Sequence, residues 1–544
     1  SGSIVEGQAP SSMAWPCKPK EDIHMRKDTY RVPTNDEEAL IEPPLEDLPG
    51  IVERNSQLLR NVDIRVNGQP FQGLRSQTRD AAIHAAIHSD IGGGDQEFNT
   101  DAPIVMTGHQ AEFFHPGVWF KNFLTAHLAA ATGAIGMNMV VDSDTCGVPG
   151  IRFPQIVDDS IQEREIQFLI NAQELATADC LLEEHTDFDP LENAAAALDL
   201  DAHLKHALET FLDRLDRGAP NLAIATTRLR KRYEQEHGID NVEFLLGTVE
   251  SMDPFLHFFI HIITALADFQ KHYNEALGEY RQQHGIRSKA NPLPDLETDE
   301  TPFWLWRKGS PRLPLRVRAE SEKCHLLYEG RPIHTIDFSL EPAEQASLLK
   351  DAFGDTFCLR SRALTTTMYF RLFCADLFIH GVGGGKYDIV TDTIIENFFG
   401  IEAPIYAVSS ATVHLPTEAV VSGSEDVDKL RYQARDVSYN PDRYVSSGLL
   451  HSERFQAKLA EKNQILESMP ERTRAERYQG FLRVKKLNEE MMVSSPGLKE
   501  SMESKLSSAL AVRKQKSILE GRNYPFFLFP QEKIESLVSH SGLI

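Results

Sequence analysis

Short apolar runs alternate along this chain with segments whose apolar residues recur at helical spacing. Ile104-Val105-Met106-Thr107 is a continuous run stopped by Gly108, the mark of a short buried strand. Phe120, Phe123, Leu124, His127 and Leu128 then fall on one helical face between Gly117 and about Thr132, and Gly133 closes that helix. Met139-Val140-Val141-Asp142 reads as a second strand, so the stretch predicts a strand–loop–helix–strand unit, parallel and right-handed. The pattern returns later as a helix over Leu364–Cys374, a strand Asp376–His380, a glycine loop, a helix Tyr387–Phe399 and a strand Pro404–Val408. These pieces close an α/β core of the nucleotide-fold kind.

Between and beyond the two halves the periodicity changes. Residues 158–290 read as mostly helical, alanine-rich at 191–207 and amphipathic from Phe255 through Tyr280, which predicts an inserted helical domain. Pro302–Trp306 and Leu313–Val317 read as strands added antiparallel to the core. From Ser452 to Glu520 the chain is charged and helical, with Phe455, Leu459 and Leu466 in one stripe and Leu498, Met502, Leu506 and Ala509 in another. Joined at Pro496-Gly497, these predict an antiparallel coiled-coil hairpin whose apolar stripe needs the core or a second subunit, and a homodimer is the expected state. The expected divisions are an N-terminal arm with short helices (1–95), the first half of the core (96–157), the insertion (158–290), the second half with strand additions (291–420), the hairpin (421–522) and a docking segment (523–544).

Composition narrows the function classes. The 544 residues exceed one hydrophobic core and suggest roughly two to four units. No apolar run nears the roughly 20 residues that span a bilayer, the first residues lack the pattern of a secretory signal, and no membrane association is expected. Six cysteines without close CxxC pairs read as reduced thiols, hence a soluble cytoplasmic protein. The formal charge of −24 disfavours nucleic acid as a partner and leaves small-molecule substrates.

Two loops carry the candidate chemistry. Thr107-Gly108-His109-Gln110 lies beyond a strand's carboxyl end, where open α/β sheets bind ligands. Gly108 permits a close turn, His109, Gln110 and His115 offer donors, and the helix starting near Gly117 presents N–H groups to an anion that Lys121 would neutralise. A plain tight turn with packed histidines is the alternative reading. Asp142 and Asp144, at the end of the next strand, would bind an amine or a divalent metal, or serve only the turn. The second loop, His380-Gly381-Val382-Gly383-Gly384-Gly385-Lys386-Tyr387-Asp388, permits close approach by a ligand or phosphate; its spacing is neither GxxxxGK[ST] nor GxGxxG. Asp388 and Asp392 fall one turn apart at the expected helix N-terminus, where the dipole alone would favour them, or they hold a substrate amine. Arg360 and Arg362 are candidate anion clamps. His84/His88 and His257/His261 have HxxxH spacing without the glutamate of a zinc motif, so no metal ligands are assigned, and Trp304 and Trp306 read as packing.

The loop Thr107-Gly108-His109-Gln110-Ala111, the helix bearing Lys121 and the later Gly383-Gly384-Gly385 together resemble the BshC family, cysteine ligases that would complete bacillithiol by joining cysteine to glucosaminyl malate. The resemblance spans most of the chain in the same order of parts. It implies a Rossmann-like parallel-sheet core related to class I nucleotidyl-transferring folds, a coiled coil used for dimerisation, and a cleft in which an amine attacks an activated carboxylate with a nucleotide nearby. Where the family reads TGQQ and GGPGE, this chain has Thr107-Gly108-His109-Gln110 and Gly383-Gly384-Gly385-Lys386-Tyr387, and Asp142-Ser143-Asp144-Thr145 replaces an acidic, histidine-containing loop. A divergent ligase with a changed substrate is the leading expectation. His109 and His115 would act at the reacting phosphate or carboxylate, Lys121 and Lys386 would neutralise charge, Asp142, Asp144 and Asp388 would orient an amine or metal, and ATP or ADP with magnesium would serve as cofactor. A non-catalytic dimeric binding or scaffold protein and a metal-dependent hydrolase are the competing expectations.

Overall fold

The structure is a computed structural model that describes residues 30–89, 91, 98–147, 150–158, 160–197, 202–416 and 426–543. Two compact units emerge, one within Ser1–Phe153, Arg164–Leu415 and Arg522–Ile544, the other within Pro154–Glu163 and Pro416–Gly521.

The first unit is mixed α/β and is built on a six-stranded sheet. In chain order its strands and the helices that matter to the site are β1 (Glu38–Glu42), β2 (Ile104–Gln110), α1 (Pro116–Thr132), β3 (Ile135–Val141), α2 (Leu222–Glu236), β4 (Val242–Leu245), α3 (Ala363–Phe373), β5 (Leu377–His380), α4 (Val382–Ile394) and β6 (Ala407–Thr412). They lie in the order β1-β6-β5-β2-β3-β4. β2 through β6 run parallel, and β1 covers the β6 edge antiparallel. Strand order therefore reverses between β2 and β5, whose registers align Thr107 with Ile379. Ile104, Val105 and Met106 are wholly buried, as both faces of a central parallel strand must be.

The junction of β2 and β5 is held from below by a buried ion cluster. Asp376 pairs with Arg75 (2.8 Å) and Arg79 (2.9 Å) and accepts from Ile104 N (2.8 Å) and Ser56 Oγ (2.7 Å). At the other end, Gly117 lets the first turn of α1 reach β6, since a Cβ there would stand 1.7 Å from Ala411 O. Gly133, at φ 65°, ends α1 in the left-handed conformation that its missing side chain permits.

Several expectations are revised. Val242–Leu245, inside the stretch read as a helical insertion, is the edge strand β4 of the central sheet, and residues 164–290 belong to the same unit as the core. The last strand runs over Ala407–Thr412 rather than Pro404–Val408. The strands anticipated near Pro302 and Leu313 are Glu300–Arg307 and Leu313–Ala319, neighbours in a separate five-stranded antiparallel sheet that ends on Phe357–Ser361. The C-terminal segment docks as its apolar content required: Phe526 N donates to Phe114 O (2.8 Å) and Phe527 stacks on Phe211.

The second unit is chiefly helical, with Val427–Asp436, Glu453–Ser468, Arg474–Val493 and Leu498–Leu519. Helix 453–468 packs on 474–493, and 427–436 packs on 498–519 through Val427, Leu430, Leu506 and Ala509. The most extensive pairings thus skip the Pro496-Gly497 joint, where Gly497 (φ 82°) starts the last long helix. No helix of the described residues is long and apolar enough to cross a membrane.

Candidate functional site

A cavity of about 850 Å³ opens where the strand order reverses, over the carboxyl ends of β2 and β5. Crevices form at such points because the connections from the two strands leave to opposite sides. Gly108, His109, Gln110 and Lys121 line one side, and His380, Gly381, Gly383 and Gly384 another. Asp144 and Arg362 also reach the cavity, so both predicted loops and parts of two further candidate pairs meet there.

Lys121 is only 5% exposed, and its Nζ donates to Gly108 O (2.7 Å). Among the described residues no carboxylate lies within ion-pair distance of it. Burial, reinforced by the Arg230 guanidinium, brings this lysine down to about 7. An ammonium removed from water without a counter-ion is costly, and an anion entering the cavity would relieve that cost.

The triglycine is helical, whereas a loop was expected. α4 begins at Val382, with Gly381 as an N-cap that makes no side-chain capping bond, and Gly381, Gly383 and Gly384 border the cavity, at the helix end whose first N–H groups have no intrahelical partner. Glycine lowers helix propensity, yet contacts favour it here: a Cβ at Gly385 would lie 2.3 Å from Val408 Cγ2, while one at Gly383 would meet nothing within 4 Å. The earlier start carries Asp388 and Asp392 past the first turn. Instead of holding a ligand amine, Asp388 binds Arg371 (2.5 Å), Thr367 Oγ1 (2.7 Å) and His380 Nε2 (2.9 Å), and Asp392 binds Arg371 (2.6 Å). Burial alone would raise Asp388, but Arg371 and then His380 override it and hold the carboxyl well below the ordinary range. An ionised Asp388 makes His380 donate from Nε2; a Cβ at Gly384 would stand 3.0 Å from its Nδ1, which therefore faces the first turn of α4. Gly385, Lys386 and Tyr387 are not part of the cavity wall.

Other candidates occupy structural positions. Thr107 Oγ1 donates to Ile379 O (2.8 Å), stitching β2 to β5. His115 caps α1: its Nδ1 accepts from Gly117 N (2.9 Å) and its Nε2 donates to Val413 O (3.0 Å), while burial and then Arg522 bring it down to about 3. Both nitrogens are in use, which leaves none for a reacting group. Asp142 accepts from Gly247 N (2.9 Å) with the Arg360 guanidinium close by, and burial raises its carboxyl despite that cation. Asp144 does line the cavity, bound to Arg312 Nη2 (2.7 Å) and Gln110 Nε2.

The antiparallel sheet supplies a wall that sequence reasoning missed. Trp304 has the guanidinium of Arg312 at 4.7 Å and that of Arg362 at 4.6 Å from its ring, and Arg362 also pairs with Glu300. Ser361 donates to Glu250, whose buried carboxyl is pushed up to about 8 by desolvation. Thr365, Thr366 and Thr367 complete this side at the start of α3, and the buried Thr365 Oγ1 has no protein partner. The start of α3 just after Arg360 and Arg362 was legible along the chain; the stacking on Trp304 needed the sheet.

No group of three or more His, Cys, Asp and Glu side chains placed to hold a metal occurs among the described residues. No family model matches the chain, and no curated protein matches it at a significant level.

Proposed function

We propose that this protein is a ligase-like enzyme of Rossmann-like architecture that binds an anionic, nucleotide-like ligand in the switch-point cavity and joins an amine to an activated acid. The observation that carries the binding part is the buried Lys121, which has no counter-ion among the described residues, together with the glycine turn of α4 that has no side-chain cap. The order of the parallel strands, three-two-one-four-five in sequence, is that of dinucleotide-binding sheets and supports the same reading. The ligase chemistry rests on the resemblance to the BshC family.

The residues fit a phosphate-bearing cofactor. Gly383 leaves room beside the N-terminus of α4, and Lys121 would supply the charge. A bound nucleotide would supply the phosphoryl group that activates the acid. Magnesium would arrive with the phosphates, because the cavity-lining Asp144 is already held by Arg312 and Gln110. Tyr478, Phe481 and Leu482, exposed at i, i+3 and i+4 on helix 474–493, support the homodimer as part of this proposal. The five described cysteines, all buried and unbridged, accord with a cytoplasmic setting.

Isothermal titration with ADP and ATP, each with magnesium, tests the proposal. Binding to the wild type that is lost in Lys121→Met and weakened in Gly383→Ala is expected. Equal affinity in all three proteins, or none in any, refutes it.

A further inference from the structure

His109 lines the cavity, and one of its ring nitrogens is buried with no hydrogen-bond partner among the described residues. His109 is 4% exposed, lies against the Phe114 ring at 4.6 Å, and bonds through Nε2 to Asn122 Oδ1; its Nδ1 has no partner.

The tautomer is forced from behind. Asn122 could turn either end of its amide to the imidazole, and its far end decides which. Asn122 Nδ2 sits 2.5 Å from Glu234 Oε1, an oxygen that already accepts from Trp119 Nε1 (2.9 Å) and Arg230 Nη1 (3.0 Å). An oxygen receiving two other donors can only accept, so the amino group of Asn122 must point to it and Oδ1 must face His109. Nε2 then carries the hydrogen, and Nδ1 is left as a bare lone pair.

The surroundings keep it bare. Lys121 on α1 and Arg230 on α2 are the cations near the ring, while the carboxylates of Glu234 and Glu243 are both committed to Arg230 (3.0 and 2.7 Å). Burial, then Lys121 and Arg230, hold the imidazole well below its ordinary range. The same cations disfavour an ammonium at this point and favour a neutral donor.

We propose that His109 Nδ1 is the acceptor for a neutral O–H or N–H of the ligand, and that Asn122 and Glu234 are positioning residues that fix its tautomer. The inference rests on the anion reading of the cavity and sharpens it: the ligand bears a hydroxyl, amide or neutral amine next to its anionic group. The sequence expectation of His109 as a donor is thereby reversed.

Two measurements on the full chain test this. Nitrogen-15 spectra of histidine-labelled protein, with His109→Gln identifying the resonance, should show an unprotonated Nδ1 and protonated Nε2 at pH 6 to 8, and a mixture of tautomers in Asn122→Ala. A wild type protonated on Nδ1 overturns the proposal even if the Asn122 variant does not fold. Calorimetry should then show 2-hydroxyethyl phosphate binding about tenfold more tightly than ethyl phosphate, the worth of one hydrogen bond, with the ratio falling to about one in His109→Phe. Equal binding of both phosphates to the wild type overturns this inference alone. Failure of both to bind removes the anion reading and the inference with it.

Discussion

Replacing Lys121 by methionine should make the protein more stable near and below neutral pH while abolishing anion binding. Met keeps most of the aliphatic stem and removes an ammonium that has no carboxylate partner among the described residues. The lysine falls from 10.5 in the unfolded chain to about 7 in the folded one. Between those values the unfolded state binds more protons, so wild-type stability gains about 1.4 kcal/mol per pH unit from this group as pH rises, and below about 7 that gain is absent. The variant lacks the group and its slope. Its stability advantage should therefore shrink by roughly 2.3 kcal/mol from pH 7 to pH 9, the slope being only half developed at pH 7, whatever other groups titrate in both proteins. The lost Nζ–Gly108 O bond subtracts about 1.5 to 3 kcal/mol at all pH values where the lysine is charged, so the net gain at pH 6 is about 2 kcal/mol. Urea unfolding of both proteins at pH 6, 7, 8 and 9 measures this directly. Parallel stability–pH curves would refute the claim that Lys121 is buried without a counter-ion.

Three further expectations follow from contacts. Asp376→Asn should cost about 3 to 5 kcal/mol by urea unfolding, because it leaves Arg75 and Arg79 buried against a neutral side chain. Gly385→Ala and Gly383→Ala should behave oppositely in the same assay: the first destabilises by about 1 to 3 kcal/mol through Val408, while the second, in open space on a helix, changes stability little or raises it by about 0.5 kcal/mol yet weakens ADP binding. Phe481→Glu should shift the protein from dimer to monomer in sedimentation velocity, and an unchanged mass would remove that face from the proposed interface.

Much of the α/β core could be read along the chain because local pattern specifies it. A buried parallel strand must be a continuous apolar run, so Ile104–Thr107 and Leu377–His380 were visible, and Gly133 and the apolar stripe of α1 marked that helix. Both loops of the cavity followed, since a strand ending in glycine before a helix places them on one edge. The four-residue β4 escaped because a short apolar run amid helices has no period of its own, and its identity comes from pairing with β3.

Roles were less legible than positions. Side-chain type marked His109, His115, Lys121, Asp142, Asp388 and Arg360 as candidates, but partners 17 to 298 residues away sorted them. Val413 claimed His115, Arg371 claimed Asp388, and Gly247 with Arg360 claimed Asp142. The triglycine reads as a loop on propensity, yet Val408 and Tyr406 pack it as helix and leave its N–H groups open. Sequence alone determined the central strands β2, β3 and β5 and which of their ends carry polar groups, because those depend on neighbours within a few residues. The tertiary structure decided that Lys121 has no counter-ion among the described residues, that His109 presents a lone pair and that Trp304 joins the wall, because each depends on which distant groups share its buried space.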